Sequence, residues 1–111
     1  MQTTIKYLLV SIIFLLTLPV IAQSDDNKFI IVLDAGHGGH DPGRPTKFEK
    51  EKNVALKIVL DIGKRLEAHK DIKVIYTRKK DVFITLRGRA AIANQADADL
   101  FVSIHCNVYE I

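Results

Sequence analysis

The sequence predicts an α/β fold, a mostly parallel sheet with helices on both faces in the order βαβαβ. Three observations predict it. Apolar runs rich in β-branched residues recur as FIIVL (Phe29 to Leu33), suited to a strand covered on both faces, IKVIYTR (Ile72 to Arg78), and ADLFVSIH (Ala98 to His105), again apolar through its centre. Between them the apolar spacing changes to three and four residues, the period of a helix face. No two runs are joined by a hairpin-length turn, so the strands run parallel and the helices cross over between them.

Each element follows in order. The chain has 111 residues, 48% hydrophobic and 26% charged, an ordinary composition for one domain. Residues 1–22 read as a signal peptide: Lys6, then an apolar stretch from Tyr7 to Pro19, then Val20-Ile21-Ala22. That stretch is shorter than the roughly 20 residues of a spanning helix, so removal after Ala22 is expected and no stable membrane anchor remains. No cysteine follows it to carry a lipid. Residues 23–28 form a short polar lead-in to the first strand. Asp34 to Lys52, with Gly36, Gly38, Gly39, Pro42, Gly43 and Pro45, reads as a long loop, and loops of that length in compact domains are usually functional or disordered. From Asn53, the residues Ala55, Ile58, Val59, Ile62 and Leu66 make an amphipathic helix ending near His69. Leu86 to Gln95 forms a second helix before the last strand. Neither repeats nor low-complexity segments occur.

The net charge of +3 is spread among interleaved acidic and basic residues, so a nucleic-acid partner is not expected. The one cysteine, Cys106, cannot close an internal disulfide. In an exported chain, stability must then come from packing or a metal.

Parallel strands deliver whatever follows their carboxyl ends to one edge of the sheet, where open α/β sheets build their sites. His37 follows the first strand and His105 ends the third. Glu51 precedes the helix that descends from the same edge, and Glu49 is an equal competitor for that place. Two imidazoles and a carboxylate form a usual catalytic zinc set with a position left for water. Singly, each residue has an ordinary structural reading, such as a loop histidine or an acid favoured by the helix dipole. The glycines around His37, which allow close backbone approach, favour the joint reading. His40 beside Asp41-Pro42-Gly43 reads as a solvated loop residue, and His69 as a helix-end residue. Arg78 with Asp81 reads as a salt-bridged connection, and Arg87 and Arg89 as a solvated helix start. Cys106, next to His105 on an extended strand, points away from it. The loop lacks both the G-x-G-x-x-G and the G-x-x-x-x-G-K-[ST] spacing, which places a nucleotide-binding domain well behind.

The segments IVLDAGHGGHDPG, EKNVALKI, VIYTRKKDVFITLRGRAAIAN and ADLFVSIHCN resemble successive motifs of the zinc-dependent N-acetylmuramoyl-L-alanine amidases of the Amidase_3 family. The resemblance runs from Phe29 to Asn107. It implies a cell-wall hydrolase, periplasmic or extracellular, that cuts the amide between N-acetylmuramic acid and L-alanine in peptidoglycan. It also implies zinc held by His37, Glu51 and His105, and it selects Glu51 over Glu49 because EKNVAL is the segment that aligns. The family continues after this motif with further strands and a later glutamate as general base. Glu110 lies too near His105 to be that residue, so the base is expected beyond Ile111. Residues 29–111 are therefore expected to be the N-terminal part of an incomplete three-layer amidase domain. That part would hold zinc and have little activity by itself. The alternative is a zinc- or peptidoglycan-binding module without catalysis.

Overall fold

A computed structural model describes residues 27–45 and 47–107. The signal-peptide reading of 1–22, Glu110 and the general base expected beyond Ile111 all lie outside the described residues. Among the described residues three strands and two helices alternate: β1 (Phe29–Ala35), α1 (Glu51–Leu66), β2 (Ile72–Tyr76), α2 (Leu86–Gln95) and β3 (Leu100–Ile104). The sheet order is β2-β1-β3, with β1 parallel to both neighbours. The expected α/β class and alternation hold.

Strand alternation divides β1 between two layers. Ile31, Leu33 and Ala35 face α1, where they bury Ala55 and Val59 in a core completed by residues such as Leu56, Val74, Val102 and Ile104. Val32 and Asp34 face the other way, in register with Phe101 and Ser103 of β3, and α2 covers that side through Arg89, which reaches Asp34. Helices thus lie on both faces. The α2 side is the more open, with Leu86 85% and Phe101 41% exposed.

α1 begins at Glu51 rather than Asn53, and its start positions the site. Lys50 precedes it without a side-chain cap. The amides of Glu51 and Lys52 donate instead to the carbonyls of Arg44 (3.0 Å) and Pro42 (3.2 Å). Loop carbonyls thereby satisfy donors that a helix start leaves unpaired, and they fasten the helix to the glycine-rich loop. α2 has an ordinary cap: Thr85 Oγ1 accepts from the Gly88 amide at 3.0 Å. Among the described residues no helix is long and apolar enough to cross a membrane.

Candidate metal centre

β1 carries the chain to the edge of the sheet, and the Gly36 amide still donates to the Ile104 carbonyl at 3.0 Å. His37 then turns into the left-handed region, φ 60°, a conformation costing a residue with a Cβ roughly 1–2 kcal/mol. The surroundings impose it. Arg89 Nη2 donates to the His37 carbonyl at 2.8 Å. Two residues tighten the loop beyond it, since the Gly38 amide donates to Asp41 O at 2.8 Å and the Asp41 amide to Gly38 O at 3.1 Å. The His37 ring is fixed on one side by Asp41 Oδ2, 2.9 Å from Nδ1. On the other, Nε2 lies 3.0 Å from Glu51 Oε1.

Glu51, the first residue of α1, is 3% exposed. Burial pushes its carboxyl up, but amide donors from Arg44 and Cys106, the His105 ring and the nearby His37 outweigh it and bring the pKa to about 2. The Arg44 amide reaches Oε2 at 2.8 Å and the Cys106 amide reaches Oε1 at 2.9 Å. His105 follows β3 directly, with Nδ1 3.2 Å from both His37 Nε2 and Glu51 Oε1. Its ring stands edge-on to that of His37, interplanar angle 83°. Two glycines make room. A Cβ at Gly36 would lie 2.6 Å from His105 Nδ1, and one at Gly43 would lie 2.6 Å from His37 Cδ2.

The structure therefore brings His37, Glu51 and His105 together as one group of potential ligands, which Cys106 does not join. The donor set fits a zinc ion. Ligand atoms about 2.0–2.1 Å from a tetrahedral metal lie about 3.3 Å from one another, and the three atoms here are separated by 3.0, 3.2 and 3.2 Å. One carboxylate oxygen and two imidazole nitrogens are the donors such an ion takes, and His105 is exposed, leaving the site open on one side. Glu49 is exposed at the loop end and accepts from Asn53 Nδ2 at 2.6 Å. His40 is exposed and leans on Phe83, ring centroids 4.2 Å apart. His69 is exposed in the turn after α1.

Two expectations are corrected. Arg78 is not paired with Asp81 in an exposed connection, and Arg89 is not part of a solvated helix start; they are 3% and 5% exposed. Past the end of the β1 ladder the carbonyls of Ala35, Gly36 and His37 need donors, and the two guanidiniums supply them. Arg78 donates to Ala35 O (2.9 Å), Gly36 O (2.8 Å) and Lys52 O (2.9 Å). Arg89 donates to Ala35 O (2.7 Å) as well as His37 O. Asp81 instead takes Lys52 Nζ at 2.6 Å and the Gly39 amide at 2.8 Å. Arg87 is exposed, as expected.

Asp34 escaped the sequence reading altogether. Its buried carboxylate accepts from Thr77 Oγ1 (2.6 Å), Arg89 Nη1 (2.6 Å) and Ser103 Oγ (2.7 Å). Burial pushes its pKa up, and the three hydrogen bonds overcome that and hold it below the usual value. A carboxylate closing a run as apolar as FIIVL was the available signal, since such a group must find a partner.

The Amidase_3 family, described as N-acetylmuramoyl-L-alanine amidase, matches residues 31–111. The chain belongs to this family. Its amidase relatives include AmiC of Escherichia coli O6:H1, 42% identical over 85 residues, which are 76% of this chain and 20% of AmiC. The endolysin of Bacillus phage SPP1 is 47% identical over 78 residues, 70% of this chain and 29% of the endolysin. Among solved structures, the N-acetylmuramoyl-L-alanine amidase of Clostridium difficile 630 superposes with a TM-score of 0.71 at 40% identity, over 73% of this chain and 45% of that one. The chain thus spans between a fifth and a half of the length of these relatives.

Proposed function

We propose that the chain supplies the metal-holding part of a zinc-dependent peptidoglycan hydrolase that cuts the amide between N-acetylmuramic acid and L-alanine. The observation that carries this reading is the convergence of His37 Nε2, Glu51 Oε1 and His105 Nδ1 at 3.0 to 3.2 Å. When bound there, zinc would bring the pKa of a water toward about 7 and polarise the amide carbonyl. The protein's own part is to hold three ligands and keep one side open. That side meets a cavity of about 680 Å³ bordered by Asp34, Asp41, Phe101 and Ser103 as well as the two histidines.

Hydrolysis also needs a group that takes a proton from water and returns it to the leaving amine. Asp34 and Asp41 border the cavity, but both are committed: Asp34 to Thr77, Arg89 and Ser103, and Asp41 to His37 and the Gly43 amide. Carboxylates whose charged form is held by such hydrogen bonds make poor proton acceptors. The family resemblance implies a later glutamate as general base, and we carry that expectation to a residue beyond Ile111; the described residues are then expected to bind zinc with little hydrolysis of their own. A peptidoglycan substrate supports an exported site, periplasmic or extracellular, which is where the leader read over residues 1–22 would send it. The commitment of Asp34 and Asp41 also favours a second reading, a zinc- or wall-binding module without catalysis.

Metal analysis is expected to return about one zinc per chain, lost in His37→Ala and in His105→Ala. Dye-labelled peptidoglycan then separates the readings. Zinc-dependent dye release by the chain completed with the later part of the domain supports the hydrolase; retention on sacculi without release supports the module. A chain that takes up no zinc would sink the hydrolase and the zinc-binding module, and one that is also not retained on sacculi would sink the wall-binding module.

A further inference from the structure

We propose that Asp41 is a positioning residue that fixes the tautomer and rotation of the His37 ring, so that Nε2 presents its lone pair to the ion; this rests on the metal reading above. A neutral imidazole has one N–H and one lone pair, and whichever nitrogen is tied to an acceptor keeps the proton. Asp41 Oδ2 lies 2.9 Å from His37 Nδ1, and an ionised carboxylate can only accept. The proton therefore belongs on Nδ1, and the lone pair on Nε2, which is the atom facing Glu51 Oε1 at 3.0 Å.

Asp41 is itself held in place for this task. Its backbone is tied to Gly38 in both directions, at 2.8 and 3.1 Å, and Oδ1 accepts from the Gly43 amide at 3.0 Å. Gly43, at φ 65°, lies under the His37 ring, where any side chain would meet Cδ2 and Cγ. Rotation of the ring is thus opposed from below by backbone and from the side by the carboxylate. The role is not one of burial: the Asp41 side chain is 41% exposed, so its removal opens no cavity. Its usefulness lies in which imidazole nitrogen is left bare, a property of the bound state that folding alone does not require.

The test is zinc affinity of the full chain by competition with a chromophoric chelator, with Co2+ absorption as a second readout and far-UV circular dichroism on every variant. Outer partners of ligating histidines are worth about 10- to 100-fold in metal affinity, and Asp41→Ala is expected to lose that much with its helix and strand signal unchanged. Its Co2+ spectrum should change as well. Asp41→Asn, whose amide oxygen can still accept from Nδ1–H, is expected to bind zinc more tightly than Asp41→Ala. Asp61→Ala, which removes an exposed acid paired with Arg65 on α1, should leave affinity unchanged and so exclude a simple effect of charge. Wild-type affinity in Asp41→Ala overturns the proposal, as does Asp41→Asn binding no better than Asp41→Ala, which would assign the loss to loop shape. If His37→Ala also keeps wild-type affinity, the metal reading itself falls; if only Asp41→Ala does, the metal reading stands.

Discussion

A carboxylate at the end of an apolar strand must be paired, because an ion removed from water and left alone costs several kcal/mol. Asp34 is paired by Arg89, and Arg89 in turn holds the carbonyls of Ala35 and His37. One guanidinium thus neutralises the acid and braces the left-handed turn that aims His37. Arg89→Leu is expected to destabilise the metal-free chain by about 3–5 kcal/mol, the cost of an orphaned buried charge, read from urea unfolding midpoints; a loss below about 1 kcal/mol would show that the pair is not needed. Because the folded pKa of Asp34 lies below its ordinary 3.8, its contribution is present above that pH and is lost as pH falls through the folded value. The stability of the metal-free chain should therefore decline below about pH 4, and Asp34→Asn, though weaker at neutral pH, should show a shallower acid limb. None of this pairing was legible beforehand. Arg89 lies 55 residues from Asp34, and an arginine in the first turn of a helix reads by itself as a solvated one.

At the scale of elements, the site exists because three ends meet: the end of β1, the start of α1 and the end of β3. Gly36 is where the first and last of these touch, since the His105 ring occupies the space a Cβ would need. Gly36→Ala is expected to displace His105 and weaken zinc binding by at least about tenfold, an effect the size of an outer-shell loss or larger, while far-UV circular dichroism stays near wild type. Chelator competition checks it, and unchanged affinity would mean that the ring can move aside freely. The order and type of the elements were legible because periodicity reports burial, and burial is what strands and helices share with the core. Their ends were less so. The run FIIVL stops at Leu33, yet β1 extends to Ala35, because Asp34 is carried by long-range partners rather than by its own hydropathy. α1 starts at Glu51 because loop carbonyls of Arg44 and Pro42 replace a side-chain cap, an arrangement with no local signature. The histidines were placed by topology alone, whereas Glu51 and Glu49 could not be separated without the family motif. In the folded chain only Glu51 turns inward, to 3% exposure.

For the whole molecule, the ligands join the ends of β1 and β3 to the start of α1 at one edge of the sheet. β3 pairs with β1 alone among the described strands, and its face toward α2 is partly open, with Phe101 41% exposed. Just past β3, the Cys106 amide donates to Glu51 Oε1 of α1 at 2.9 Å, beside His105 Nδ1 at 3.2 Å from the same oxygen. An ion shared by His37, Glu51 and His105 would tie β3 to both β1 and α1 through bonds that the unfolded chain cannot reproduce. Binding to the folded state alone stabilises by about 2.7 kcal/mol at a free zinc concentration 100 times Kd. At roughly 4–8 °C per kcal/mol for a domain of this size, zinc should raise Tm by about 10–20 °C, and His37→Ala or His105→Ala should abolish the shift. The gain should also be unevenly distributed. Amide exchange is expected to slow most in β3, whose attachment the ion strengthens, and least in the middle of α1, which Ala55 and Val59 already bury against the sheet. Uniform protection across β3 and α1 would show instead that the chain opens only as one unit, with β3 no weaker than the core.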